Sequence, residues 1–224
     1  GDTIEETRLN AIASFASQKR AVTKEDYMIR TLSLPSMFGR ISKAYITQDD
    51  QLSPLTSEPG RIPNPLALNL YTLGYDKNKK LTTLNPATKQ NLITYLEQFR
   101  MLTDSINIKN AFVINFSVDF EITTFTNYNN EEVLLNCISE LQNYFEIDKW
   151  QINQPIIKSE IMNLLGSVQG VQTVEKVTIL NKNGNPYSVY RYDFESATKK
   201  EVIYPSLDPS IFELKFPNQD IKGR

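Results

Sequence analysis

The stretch "AFVINFSVDFEI", residues 111–122, decides how the rest of the chain is read. Phe112, Ile114, Phe116, Val118, Phe120 and Ile122 alternate with Val113, Asn115, Ser117, Asp119 and Glu121. A period of two is the mark of a strand whose successive side chains point to opposite faces. A strand this long with one polar face belongs to an antiparallel or mixed sheet with one face buried. Just downstream, Asn130 with Glu131 and Glu132 opens a helix whose Leu134, Ile138, Leu141 and Phe145 are expected to face that sheet. Phe112, Phe116, Phe120, Leu134, Ile138 and Leu141 then share one core. Cys137 sits beside the stripe and reads as a small buried hydrophobe.

The same strand-then-helix order occurs upstream. "LALNLYTLGY", residues 66–75, turns Leu66, Leu68 and Leu70 inward, and the helix that follows takes Asn85 as its cap and Pro86 at its first position. Leu92, Leu96 and Phe99 form its stripe. A helix-then-strand unit is also present twice. In "RAVTKEDYMIRTLSLP", residues 20–35, Thr23 caps a helix, Glu25 and Asp26 sit at its positive end, and Pro35 stops it. Its Tyr27, Thr31 and Leu34 match Ile161, Leu165 and Val168 of "PIIKSEIMNLLGSVQG", residues 155–170. In the strands that follow, Ile41, Ala44 and Ile46 match Val174, Val177 and Ile179 after one residue of slippage.

Two helix–strand and two strand–helix pairs give an α/β (α+β) chain of two small tandem sandwich units with mixed or antiparallel sheets. The expected division is an N-terminal helix over 1–20, a first unit over 21–110, a second over 111–182, and a β-rich tail over 183–224. Thr3 and Glu6 stand at capping-box spacing in the first of these, ahead of Leu9, Ile12 and Ala16. The first unit carries a Pro-rich loop at 47–65. Asn183 and Gly184 favour a tight turn, after which "YSVYRYDFE" and "SIFELKF" are β-prone, and Pro205, Pro209 and Pro217 argue against any helix.

The side-chain inventory excludes most catalysis. The 224 residues contain no histidine and one cysteine, which removes the usual general base, the commonest zinc ligand and any internal disulfide. Glu25 with Asp26 and Glu131 with Glu132 are first-turn acids, Asp119 and Glu121 are outward strand positions, and "LGSVQG" lacks the lysine and spacing of a phosphate loop. No catalytic residue, metal ligand or cofactor site is expected. A net charge of −2 offers no general attraction to phosphate backbones or anionic membranes, and no apolar run is long enough to span a bilayer. The alternative reading is a nucleic-acid-binding module with ferredoxin-like sheets, stacking bases on Tyr71, Phe116, Phe120, Tyr190 and Tyr192. Against it, the Lys/Arg-rich, Gly-containing strand signature is missing, and the phenylalanines lie on an apolar face. Trp150 is read as sealing the end of a core.

Apolar residues in the irregular segments point instead to protein contacts. Leu52, Leu55 and Ile62 of the Pro-rich loop, with Phe212, Leu214 and Phe216 of the tail, are costly to leave in water. They are the expected partner-binding residues, the tail being either a strand on its own chain or a cover for a neighbour.

"QKRAVTKEDYMIRTLSLP", residues 18–35, resembles the RAVT-x-EDY signature of baseplate J-like proteins. "FRMLTDSINIKNAFVINFSVDFEI", "WQINQPIIKSEIMNLLGSVQGVQTVEKVTI" and the terminal "SIFELKFPNQDIKG" are similar in order to the T4-type wedge members of that family. The resemblance runs from about Thr3 to the end and implies the C-terminal portion of a longer protein. It implies a non-enzymatic structural component of a contractile phage tail, located in the virion baseplate and assembled in the host cytoplasm. The implied partners are copies of itself, as a dimer or ring around the hub, and other wedge proteins. Nucleic acid, membrane and small-molecule substrates are not among them.

Overall fold

The computed structural model describes residues 20–48, 67–101, 104–206 and 208–224. The helix expected over 1–20, Leu66, and the loop residues Leu52, Leu55 and Ile62 lie outside the described residues. The chain is an α+β fold that, among the described residues, has two four-stranded mixed sheets and one small three-stranded sheet. It divides into two compact units: the described part of Gly1–Asp76 with Thr82–Asn110, and Lys77–Leu81 with Ala111–Arg224.

The first unit opens on α1 (Lys24–Leu32). The Thr23 hydroxyl accepts the Asp26 N–H at 3.1 Å, while the Asp26 carboxylate accepts the N–H groups of Thr23 at 2.9 Å and Val22 at 3.0 Å. This reciprocal cap satisfies donors that a helix start leaves orphaned. The backbone donation from Thr23 is the main reason the Asp26 carboxyl is held below its ordinary range. A 3-10 turn, Ser36–Phe38, and then Gly39 lead into β1 (Lys43–Gln48). Gly39 has φ +126°, and a Cβ there would stand 2.4 Å from Thr88 Cγ2, so both conformation and space require glycine. β1 runs antiparallel to β2 (Ala67–Tyr75), with Lys43 opposite Leu73 and Gln48 opposite Leu68. The short β3 (Leu81–Thr82) also joins β2.

Helix α2 (Pro86–Glu97) begins as expected, Asn85 Oδ1 accepting the Thr88 N–H at 2.7 Å with Pro86 at the first position. The chain then returns as β4 (Ser105–Asn110), parallel to β2 on the edge opposite β1, a strand the sequence reading did not anticipate. Tyr27, Leu34, Ile41, Ile46, Leu70, Leu92 and Leu96 close into one core. The simple alternation expected for β2 needs correction: Asn69, Thr72 and Leu73 are as buried as Leu70, so both faces of this central strand are covered. Leu68, on the expected inward face, is only partly buried. The Tyr27 hydroxyl reaches Asp104 Oδ2 at 2.7 Å; burial first, and then that contact, push its ionisation up to about 12.

The second unit is centred on β5 (Phe112–Thr124) and α3 (Asn130–Tyr144). After these come β6 (Ile156–Ile157), α4 (Lys158–Gly166) and β7 (Val171–Lys182). The remainder comprises α5 (Phe194–Ala197), β8 (Thr198–Lys199), β9 (Val202–Ile203), β10 (Ser210–Glu213), α6 (Pro217–Asp220) and β11 (Ile221–Gly223). β7 lies antiparallel on one edge of β5. On the other edge, β10 pairs parallel with 112–115 and β11 parallel with 118–120. Gly170, with φ +97°, turns the chain between α4 and β7 where a Cβ would meet Val133 Cγ2 at 2.6 Å. Both helix–strand units therefore turn on a left-handed glycine packed against another helix.

Three expectations change here. The stripe of α3 that is fully buried is Val133, Cys137 and Leu141, while Leu134 and Ile138 flank it half-buried and Phe112 is also half-buried. The polar face of β5 is not open: Asn115 and Ser117 are buried. Asn115 Nδ2 donates to Glu213 Oε2 at 2.8 Å, and its Oδ1 accepts the Ser188 N–H at 2.8 Å, because the chain after β7 lies across that face. Finally, the segment 183–224 contains two single-turn helices, and "YSVYRYDFE" is not a strand. Asp193 caps the first by accepting the Glu195 and Ser196 N–H groups, and Pro217 occupies the first position of the second.

The two units share a frame. In each, a central strand has an antiparallel neighbour from a helix–strand pair on one edge and a parallel neighbour on the other. The order differs: helix–strand precedes strand–helix in the first unit and follows it in the second.

Candidate interaction surfaces

The side chains weighed for chemistry are occupied structurally. Glu25, Asp26, Glu131 and Glu132 lie in first turns, and Glu121 accepts the Arg224 guanidinium. Cys137 is fully buried, and desolvation pushes its thiol up to about 11, the opposite of what a nucleophile needs. Among the described residues no three His, Cys, Asp or Glu side chains gather to hold a metal ion. No helix among them is long and apolar enough to cross a membrane.

The aromatic residues do not form a stacking platform. Phe116 and Phe120 are buried, and Phe116 packs edge-on against Phe145 at 5.0 Å and Phe212 at 6.4 Å between centroids. Tyr71 is buried in the other unit. Tyr190 meets Phe112 edge-on at 5.0 Å, and Tyr192 packs on Phe194 and Phe212. Trp150 is buried beside Tyr144 and Phe145.

Of the tail residues expected at a partner contact, Phe212 and Leu214 are buried, as is Ile211, and Phe212 packs on Phe116, Tyr192 and Phe194 of its own unit. Pairing of β10 with β5 inserts Phe212 into the aromatic core, so all four residues of that strand are buried. Phe216 is half-buried, edge-on to Tyr187 at 5.5 Å and beneath the Lys80 ammonium at 5.7 Å. Glu213 is buried in the same strand; its Oε1 accepts the Leu81 N–H at 2.8 Å, and desolvation raises its carboxyl above the ordinary range.

Sequence reading missed the apolar groups that do face outward. In the first unit, Ile29 and Leu32 lie a turn apart on α1, followed by Met37 and Phe38. Met37 is 82% exposed. Their signal was a second apolar row on α1 beyond the Tyr27 stripe. In the second unit, Leu180, Val189, Tyr190 and Tyr204 are exposed. Among the described residues, β7 pairs with nothing on the edge away from β5. A groove of 440 Å³ follows the latter half of that strand, lined by Lys176, Val177, Leu180, Tyr192, Phe194 and Thr198 among others. An unpaired strand edge presents a row of backbone donors and acceptors that another strand can satisfy.

No protein-family model matches the chain, and no curated protein matches it. Among solved structures, it is similar to a chain in the cryo-EM structure of the anti-feeding prophage (AFP) baseplate, 6-fold symmetrised. The likeness has a TM-score of 0.57 at 14% identity, covering 95% of this chain and 42% of that one. The chain thus spans less than half the length of the protein whose fold it shares.

Proposed function

We propose that this chain is a structural component of the baseplate of a contractile, phage-tail-like particle, and that it acts by assembly. The observation that carries the reading is the fold likeness to an AFP baseplate chain over 95% of the sequence. The RAVT-x-EDY stretch supports the finer assignment to a baseplate J-like wedge protein, in which this segment is the C-terminal portion. In that role the chain pairs with copies of itself and with other wedge proteins in a ring around the hub, in the virion, after assembly in the host cytoplasm. Loop residues Leu52, Leu55 and Ile62, with Phe216 of the tail, are proposed contact points, as are the outward groups of α1. Its side chains supply positions and surfaces, not chemistry. A tagged copy expressed in the producing cells tests this: the chain should co-sediment with assembled particles and remain with the baseplate when the sheath is stripped. Recovery only in the soluble fraction, while complete particles form in the same cells without it, overturns the proposal.

A further inference from the structure

We propose that the free edge of β7 is a two-fold homodimer interface, in which residues 173–178 of two copies pair antiparallel. This deepens the reading of a chain that assembles with itself and rests on it. The edge has the sequence "TVEKVT" over residues 173–178. Read against itself in the opposite direction, it places Thr173 opposite Thr178, Val174 opposite Val177 and Glu175 opposite Lys176. Each match occurs twice across the dyad, as an isologous contact requires.

A palindrome of even length normally fails in a strand. A dyad perpendicular to the sheet keeps each side chain on its own face, whereas Val174 and Val177 have opposite parity and would point to opposite faces in a regular strand. The structure removes this obstacle with a β-bulge. Glu121 is opposite Lys176 and Ile122 is opposite Val174, so Glu175 is the extra residue. As a result Val174, opposite Ile122, and Val177, opposite Phe120, share the core face. Thr173, opposite Thr123, and Thr178, opposite Asp119, share the other. Glu175 belongs to that second face as well, since its carboxylate accepts the Thr123 hydroxyl at 2.6 Å. Lys176, opposite Glu121, lies on that second face too, so the two residues of each match share a face of a sheet continued across two copies: the valines on the core face, the threonines and charges on the other. Glu175 and Lys176 are exposed in the single chain, and each gains an opposite charge from the second copy. The groove beside residues 176–181 provides space for the incoming strand.

Sedimentation equilibrium of the 224-residue chain and its variants tests the interface, with circular dichroism to confirm folding. The parent should dimerise. Glu175→Lys and Lys176→Glu each turn both cross-dyad pairs repulsive and should weaken homodimerisation about tenfold or more. Mixing the two single variants restores complementarity, because the lysines of one meet the glutamates of the other, and native mass spectrometry should find the heterodimer in excess. Lys182→Glu, the same charge change outside the matched stretch, should dimerise like the parent. If the single variants dimerise as the parent does, or the mixture shows no heterodimer preference, this interface is wrong while self-association stands. A parent that stays monomeric at its highest soluble concentration overturns both.

Discussion

At the scale of single residues, the buried Glu213 carboxyl joins separate stretches of the second unit. Glu213 accepts the Leu81 N–H and the Asn115 amide, so three separate stretches of chain meet at its oxygens. Loss of water, partly offset by those bonds and by Lys215 and Lys80, raises its pKa. The folded state therefore binds this proton more tightly than the unfolded chain. The associated stability is complete below the unfolded value, ordinarily 4.5, and is lost as pH rises through the higher folded value. Urea unfolding of the parent and Glu213→Gln across this range checks the sign. The parent's stability relative to the variant should decline as pH rises above 4.5. A difference that is flat, or that grows with pH, contradicts the assignment. Nothing in the sequence "SIFELKF" marked Glu213 as buried, because alternation predicts an exposed glutamate between Phe212 and Leu214. What buries it is the parallel pairing of β10 with a distant strand, a contact 98 residues away in sequence.

At the scale of elements, local chemistry and tertiary packing make separable contributions. Removing the cap hydroxyl with Thr23→Ala should cost about 1 kcal/mol, since one helix-end donor loses its partner to water. Phe116→Ala should cost roughly 3–5 kcal/mol, because the ring contacts of Phe116 with Phe145, Phe194 and Phe212 collapse into a cavity. Chemical denaturation of both variants measures the two. Equal losses would show that the aromatic cluster is not the structural centre of the unit.

The same division explains which elements were legible. The starts of α1 and α2 follow from Thr23, Asp26, Asn85 and Pro86, all within four residues of the helix they set, and β5 follows from its own alternation. The face of α3 does not, because the rows Val133–Cys137–Leu141 and Leu134–Ile138 are adjacent on the helix and periodicity alone cannot choose between them. Tertiary packing in the second unit buries the first. β4 went unseen because "SINIKN" is short and only partly buried, and its identity as a strand depends on β2. The two single-turn helices did carry local signals, Asp193 as a cap and Pro217 at a first position. Those signals were outweighed by the surrounding β-prone residues.

At the scale of the whole molecule, the recurrence of one frame in two orders accounts for how a chain without evident catalytic groups can offer several surfaces. Each unit spends its helices on covering a central strand and leaves other features outward: a second apolar row on α1 in the first, the free edge of β7 in the second. The candidate contact surface was less legible than the fold, because exposure depends on which of several apolar rows packing consumes. Phe212 and Leu214 illustrate this, being apolar in a segment that reads as irregular yet buried within the chain. Under the proposed function, this architecture serves assembly in a baseplate. The most direct measurement is a cryo-EM reconstruction of intact contractile particles from the producing cells, with this chain fitted by side-chain density. Both units should lie within the baseplate, in symmetry-related copies that contact one another and neighbouring baseplate proteins. Particles whose complete baseplate contains no density for this fold would contradict it.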